Sequence, residues 1–405
     1  MLRRLFNKRP RDDRDSLVLK GVLDGKAAFT GPSIVQFDIT NKCNNNCICC
    51  WNNSPLLGPQ DENTRKELSS ELPVELVKKT ISDLKDMGTK TLFFAGGGEP
   101  FFHPGIMDIL EFSKACGMKI FMNTNFTLID EKIAKRLVEL KVDHIHVSLL
   151  AGSGETYAGI HPNKSEETFE RMKDILKYIS FLKIEKDQHL HNPLPHINLY
   201  YVIFNRNYHE IDAMVDLAVD VKADSVEFTP VDVIPGKTEC LLMNEAQAAQ
   251  VAERVRYQFG RLEAYNKNEP IKTYIAQKDS FIKRISSSFA KEGKYEAETI
   301  TKQPCYVGWA FARISATGDV HPCLKAHKLS VGNIYDEPFA KIWNGPQQQL
   351  FRDKTFSLDF NDPYFEKIGN DPNCPSGCLK ACDNLQINLE LDNKFRDTLK
   401  KHGKT

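Results

Sequence analysis

Eleven cysteines lie in this chain of 405 residues, and nine of them fall into two groups. Cys43, Cys47, Cys49 and Cys50 sit within eight residues, while Cys305, Cys323, Cys374, Cys378 and Cys382 occupy the last quarter. The N-terminus turns charged before any apolar run suited to a secretory signal can form, so the grouped thiols read as metal or cluster ligands rather than disulfides. In Cys43-Asn-Asn-Asn-Cys47-Ile-Cys49-Cys50, three thiolates separated by three and then two residues can converge on adjacent irons of a [4Fe–4S] cluster. One iron is then left open to an outside ligand. Zinc is the competing occupant, wanting four protein donors in a structural site, or three and a water in a catalytic one.

Something must hold these thiols in place. Between residues 33 and 265 short apolar runs alternate with longer segments of helical period, the pattern of repeated βα units. Six strands are expected, over 34–40, 91–95, 119–123, 143–149, 197–203 and 225–229. Val77, Ile81 and Leu84 mark one helix face, and Phe169, Met172, Leu176 and Ile179 another. Periodicity fits both a doubly wound sheet and an incomplete α/β barrel. In either case ligands gather at the C-terminal strand ends, where the first cysteine group follows strand one. Gly96-Gly97-Gly98-Glu99-Pro100 follows strand two, Asn123-Thr124-Asn125 strand three, and Ser148 closes strand four. Glycines admit close approach of a ligand to the backbone, and Glu99 can accept hydrogen bonds from an ammonium group.

C-x3-C-x2-C after the first strand of a six-unit βα domain resembles the radical S-adenosylmethionine (radical SAM) superfamily. The resemblance implies a partial (β/α)6 barrel in which Cys43, Cys47 and Cys50 hold a [4Fe–4S] cluster whose open iron is chelated by S-adenosylmethionine. It places Gly97, Gly98, Glu99 and Pro100 on the methionine amino group, and Asn123, Asn125 and Ser148 near the ribose and carboxylate. The position before the third cysteine usually holds an aromatic residue that contacts the adenine; here it is Cys49, which enters the cofactor site in its place.

From Cys305 onward the chain is rich in Gly, Pro, Asn and Asp, and a hairpin is expected with strands 311–315 and 320–321. A region this short of core residues needs a staple, which five cysteines supply. Gly318-x4-Cys323, Gly332-Asn333-Ile334 and Ile342-Trp343-Asn344 resemble the auxiliary-cluster extension of radical SAM enzymes, called SPASM or, when shortened, Twitch. Five cysteines imply one auxiliary [4Fe–4S] cluster, held by four of Cys305, Cys323, Cys374, Cys378 and Cys382. A zinc-ribbon-like staple is the structural alternative.

The expected organisation is an N-terminal extension over 1–32, the barrel core over 33–265, a helical bridge over 266–300, the auxiliary-cluster domain over 301–390 and a frayed basic tail over 391–405. The resemblance further implies an oxidoreductase. Reductive cleavage of S-adenosylmethionine gives a 5′-deoxyadenosyl radical that abstracts hydrogen from a small polar or peptide substrate, while the auxiliary cluster accepts an electron. A flavodoxin or ferredoxin would supply the initiating electron. Redox-neutral epimerisation or decarboxylation is the alternative chemistry, and a non-catalytic iron–sulfur, zinc or electron-transfer protein the alternative of another class. Fifty-four basic against 54 acidic residues leave no net field for nucleic acid, and no run approaches 18 apolar residues, so a cytoplasmic chain without nucleic-acid or membrane partners is expected.

Overall fold

The computed structural model describes residues 13–186, 193–269, 271–300, 304–368, 378 and 382–403. All six expected strands are present: β1 (Ile34–Phe37), β2 (Thr91–Phe94), β3 (Lys119–Thr124), β4 (His144–Ser148), β5 (His196–Ile203) and β6 (Ser225–Pro230). They run parallel, each paired with the next in chain order. β1 is shorter than expected because Asp38 turns out of the ladder, leaving Thr40 to make a single bridge with Glu71.

Four more strands extend this sheet to ten. β7 (Tyr274–Ala276) lies inside the stretch expected to be helical and pairs parallel with β6. The C-terminal hairpin forms as expected from β8 (Phe311–Ile314) and β9 (Asp319–His321), followed by β10 (Gly332–Asn333). β8 also lies parallel to β1, with Ile34 opposite Phe311 and Phe37 opposite Ile314. The strand that launches the first cysteine loop is therefore flanked by β2 on one side and the C-terminal hairpin on the other.

Alternation along the strands decides what faces inward. In β4, Ile145 and Val147 are fully buried against helices, which sends His144, His146 and Ser148 to the opposite, concave face. The helix Val74–Asp86 closes the outer face with Val77, Ile81 and Leu84, all wholly buried. Ile314, Val320, Phe339 and Trp343 join the same core, so the C-terminal region packs on the barrel rather than standing apart.

The two chain ends differ from expectation. Residues 391–401, expected to fray, continue the helix Leu385–Lys401, whose Leu391, Phe395 and Leu399 recur every four residues and are buried. They pack on Val18 and Val22 of the helix Asp13–Asp24, with Tyr306 and Trp309 completing the cluster. Basic residues in the last turn masked this apolar stripe in the sequence. No helix among the described residues is long and apolar enough to cross a membrane.

Leu399→Ala should lower the stability of the fold by about 2–5 kcal/mol, read as the shift in a urea unfolding curve. A loss within about 0.5 kcal/mol, typical of an exposed site, would mean that the two end helices are not docked.

Candidate active site

Asparagines build the first cysteine loop. Asn46 and Asn163 exchange backbone-to-side-chain hydrogen bonds of 3.2 and 3.1 Å, and Asn163 Nδ2 donates to Asn44 O at 2.9 Å. The Ser54 hydroxyl donates to Ile48 O at 2.5 Å, closing the far side. Within this frame, N–H groups point at sulfur. Asn45 N donates to Cys43 Sγ at 3.4 Å, Asn52 N and Asn53 N to Cys50 Sγ at 3.4 and 3.3 Å, and Asn125 Nδ2 lies 3.7 Å from Cys43 Sγ. Donors of this kind stabilise thiolates and tune the potential of a cluster they hold.

Burial pushes the Cys43 thiol up to about 11, with neighbouring Glu99 and Cys50 adding to the rise. Cys49 is pushed up to about 12 by burial and then by Cys50, and Cys47 is driven well above its ordinary value by burial and the other three sulfurs. Several thiols crowded into one low-dielectric loop cannot all ionise unless a cation compensates them. The donor set thus fits an iron–sulfur cluster. Among the described residues no three His, Cys, Asp or Glu side chains converge on a single metal ion; a cluster asks for less convergence, since each thiolate meets its own iron.

The glycine turn lies against this loop. A Cβ on Gly97 would come within 1.9 Å of Asn41 Oδ1, and one on Gly98 within 2.2 Å of Lys42 O, so only glycines let the two segments touch. Glu99 N donates to Lys42 O and Asn52 Nδ2 to Gly97 O, both at 2.9 Å. The Glu99 side chain is turned inward and is 2% exposed. Its carboxylate accepts from Thr124 Oγ1 at 2.7 Å, Asn125 N at 2.6 Å and Phe101 N at 3.1 Å, tying the β2 loop to the β3 loop. Burial outweighs these bonds and pushes its carboxyl up to about 7.

A cavity of about 2860 Å³ in all occupies the concave face of the sheet and continues past it to the two end helices. Of the residues singled out in the sequence, Cys47, Cys49, Cys50, Gly97, Asn123 and Ser148 line it. Asn123 Oδ1 is buried without a hydrogen-bond partner among the described residues, an acceptor left for a ligand. Pro100 and Asn125 are buried beside Glu99, where Asn125 also donates to Asn44 Oδ1 at 2.9 Å and so braces the Cys43 end of the loop.

The second cysteine group also assembles. Cys305, Cys323, Cys378 and Cys382 line one small cavity of about 40 Å³ with Val307, Phe351 and Ile368. Burial pushes Cys305 up to about 12, with Cys378 adding to the rise, and drives Cys323 and Cys382 well above their ordinary value, each raised further by the other sulfurs. These four thiols fit a cluster by the same criterion as the first group. Cys374 lies outside the described residues.

Sequence reasoning missed the lumen imidazoles. His144 and His146 line the cavity, burial pushing each down to about 4, with neighbouring imidazoles adding to the fall. The alternation His-Ile-His-Val-Ser was the signal available. His189 and His191 lie outside the described residues, while His196 begins β5 and bonds Ser225 Oγ at 3.1 Å.

Residues 37–218 match the family described as the radical SAM superfamily, and residues 305–379 match SPASM, an iron–sulfur cluster-binding domain. The chain belongs to the radical SAM superfamily. It is a radical SAM enzyme with a SPASM domain, and both parts imply iron–sulfur clusters and binding of S-adenosylmethionine. This radical SAM enzyme is 24% identical over 330 residues to the AdoMet-dependent heme synthase of Methanosarcina barkeri, covering 79% of this chain and 84% of that protein. It is 25% identical over 329 residues to the PqqA peptide cyclase of Streptomyces rochei, covering 78% and 76%. Streptococcus suis SuiB bound to its precursor peptide SuiA shares the fold at a TM-score of 0.58 and 16% identity, over 87% of this chain and 76% of that one.

Glu99 gives a pH signature. Its folded value of about 7 lies above the ordinary 4.5, so the native state holds the extra proton. The stability this confers is complete below about pH 4.5 and lost as pH rises through about 7. Glu99→Gln should remove that slope, on the order of 3 kcal/mol between pH 4.5 and 8, in unfolding of protein free of S-adenosylmethionine. An unaltered slope in the variant would show that Glu99 does not titrate there.

Proposed function

We propose that this radical SAM enzyme is an oxidoreductase acting on a peptide held in the lumen, with Cys43, Cys47 and Cys50 carrying the first [4Fe–4S] cluster and Cys305, Cys323, Cys378 and Cys382 a single auxiliary one. One observation carries the reading: Cys47 and Cys50 line the same cavity as Cys382, so a single bound molecule can reach from the first cysteine loop to the second cysteine site. When bound, the first cluster and S-adenosylmethionine supply a hydrogen-abstracting 5′-deoxyadenosyl radical, and the second cluster supplies an electron acceptor. The protein does the rest. Gly96 and Gly97 present their backbone to the methionine end of S-adenosylmethionine while Glu99 fixes their turn from behind. Asn123 and Ser148 offer polar contacts on the adjoining strands.

The cavity runs from Cys50 of the first loop to Cys382 of the second site, which supports an extended substrate. The PqqA peptide cyclase and SuiB with its precursor peptide point the same way. A planar ring substrate is the second reading, supported by the wall of Phe93, Phe121, His146 and Tyr200 and by the heme synthase relative. The initiating electron comes from a flavodoxin or ferredoxin, and so many grouped thiols that must stay reduced suit the reducing cytoplasm.

Anaerobically reconstituted protein should hold about eight irons, four per cluster, and form 5′-deoxyadenosine under dithionite. Alanine at Cys43, Cys47 or Cys50 should remove about four irons and abolish 5′-deoxyadenosine, whereas Cys49→Ala should retain cleavage. Cys378→Ala should also remove about four irons. Iron near four with zinc at the second site would reduce that site to a structural staple.

A further inference from the structure

Lys325 stands two residues beyond Cys323, yet its contacts come from three other segments. Its ammonium donates to Asp232 in the loop after β6 and lies 3.3 Å from Asp383, the neighbour of Cys382. It also sits 4.5 Å from the ring centroid of Trp51, the neighbour of Cys50. His327 meets the same indole edge-on at 6.2 Å. Lys325 is 6% exposed and borders the small cysteine cavity, while Asp232, Asp383 and Trp51 line the large one. Without this cation, two carboxylates would face the same space and the indole would lose its ammonium partner.

We infer that Lys325 is a positioning residue that clasps the Cys50–Trp51 end of the first loop to the second cysteine site, and sets the charge beside the cluster held there. The inference rests on the reading that this site carries an iron–sulfur cluster. Potentials of such clusters follow the net charge and hydrogen bonding around them, and a buried cation favours the reduced form, which carries one more negative charge. Asp232 and Asp383 pull the other way. Lys325 leaves the trio with one net negative charge, and its loss leaves two.

Two measurements on the holoenzyme test the clasp. An EPR-monitored redox titration of Lys325→Met should find the auxiliary cluster shifted roughly tenfold toward its oxidised form, or 59 mV lower for a one-electron couple. Lys325→Arg, which keeps both the charge and the cation–π contact, should restore the wild-type potential. Asp383→Asn should move it upward, an opposite sign that a change in packing alone would not produce. The second readout is acrylamide quenching of tryptophan fluorescence. Trp309 and Trp343 are each 1% exposed and Trp51 is 38% exposed, so quenching reports Trp51. It should rise in Lys325→Met and not in Lys325→Arg.

Wild-type potential and quenching in Lys325→Met, with the auxiliary cluster present, would overturn the clasp. Should Lys325→Met fail to fold, an unmoved potential in Asp383→Asn would overturn it instead. A wild-type protein without a second cluster would defeat the preceding functional reading, and the quenching comparison would still decide the clasp by itself.

Discussion

At the end of β1 the carboxylate of Asp38, which is fully buried, faces the Arg313 guanidinium of β8 at 2.5 and 2.7 Å and accepts a further 2.9 Å bond from Gln36. Removing one member of such a pair typically costs roughly 3–5 kcal/mol, because the other charge is left stranded out of water. Three parts of the molecule meet here. The first cysteine loop begins five residues later, and the hairpin leading to Cys323 is held by Arg313. The glycine turn passes so close that a Cβ on Gly96, whose φ is +116°, would overlap Asp38 Cγ at 1.9 Å. The spacing between the two cysteine sites is thus set at one point of the sheet.

Buried imidazoles line the cavity above this point. Burial pushes His144 and His146 down to about 4 and His196 to about 3, so these imidazoles line the wall in their neutral forms near pH 7, and burial raises the Glu227 carboxyl above its ordinary value. Arg284 pairs with Glu296 at 2.7 Å, and Lys325 with Asp232. Neutral imidazoles and aromatic rings give a substrate hydrogen-bonding and stacking partners without the water shell that free charges would hold.

The elements legible in the sequence were those whose signal is local. Six strands and the 311–321 hairpin announce themselves through apolar runs and turn residues, and both cysteine groups through spacing. What escaped depends on partners distant in the chain. β7 has three residues and no periodicity, and is a strand because β6 offers it an edge. The pairing of β8 with β1 joins residues some 275 apart, as Asp38 and Arg313 are. Leu391, Phe395 and Leu399 were hidden among lysines until Val18 and Val22 supplied the opposite face. The hydrogen bonds by which the Glu99 carboxylate ties Asn125 and Thr124 to the β2 loop are likewise not encoded in sequence spacing.

The place of β1 between β2 and β8 has a consequence for synthesis on the ribosome. Until residues 311–314 emerge, β1 has a single neighbour, and Asp38 has no arginine from β8. At about 5–20 residues per second, that interval lasts roughly 15–55 s. Throughout it β1, which leads into the first cysteine loop, is an edge of the sheet, and the buried Asp38 carboxylate lacks its guanidinium partner. A nascent chain stalled before β8 therefore carries the segments that frame the first cysteine loop, Gly97, Asn125 and Asn163 among them, but not the arginine that neutralises the carboxylate beneath it.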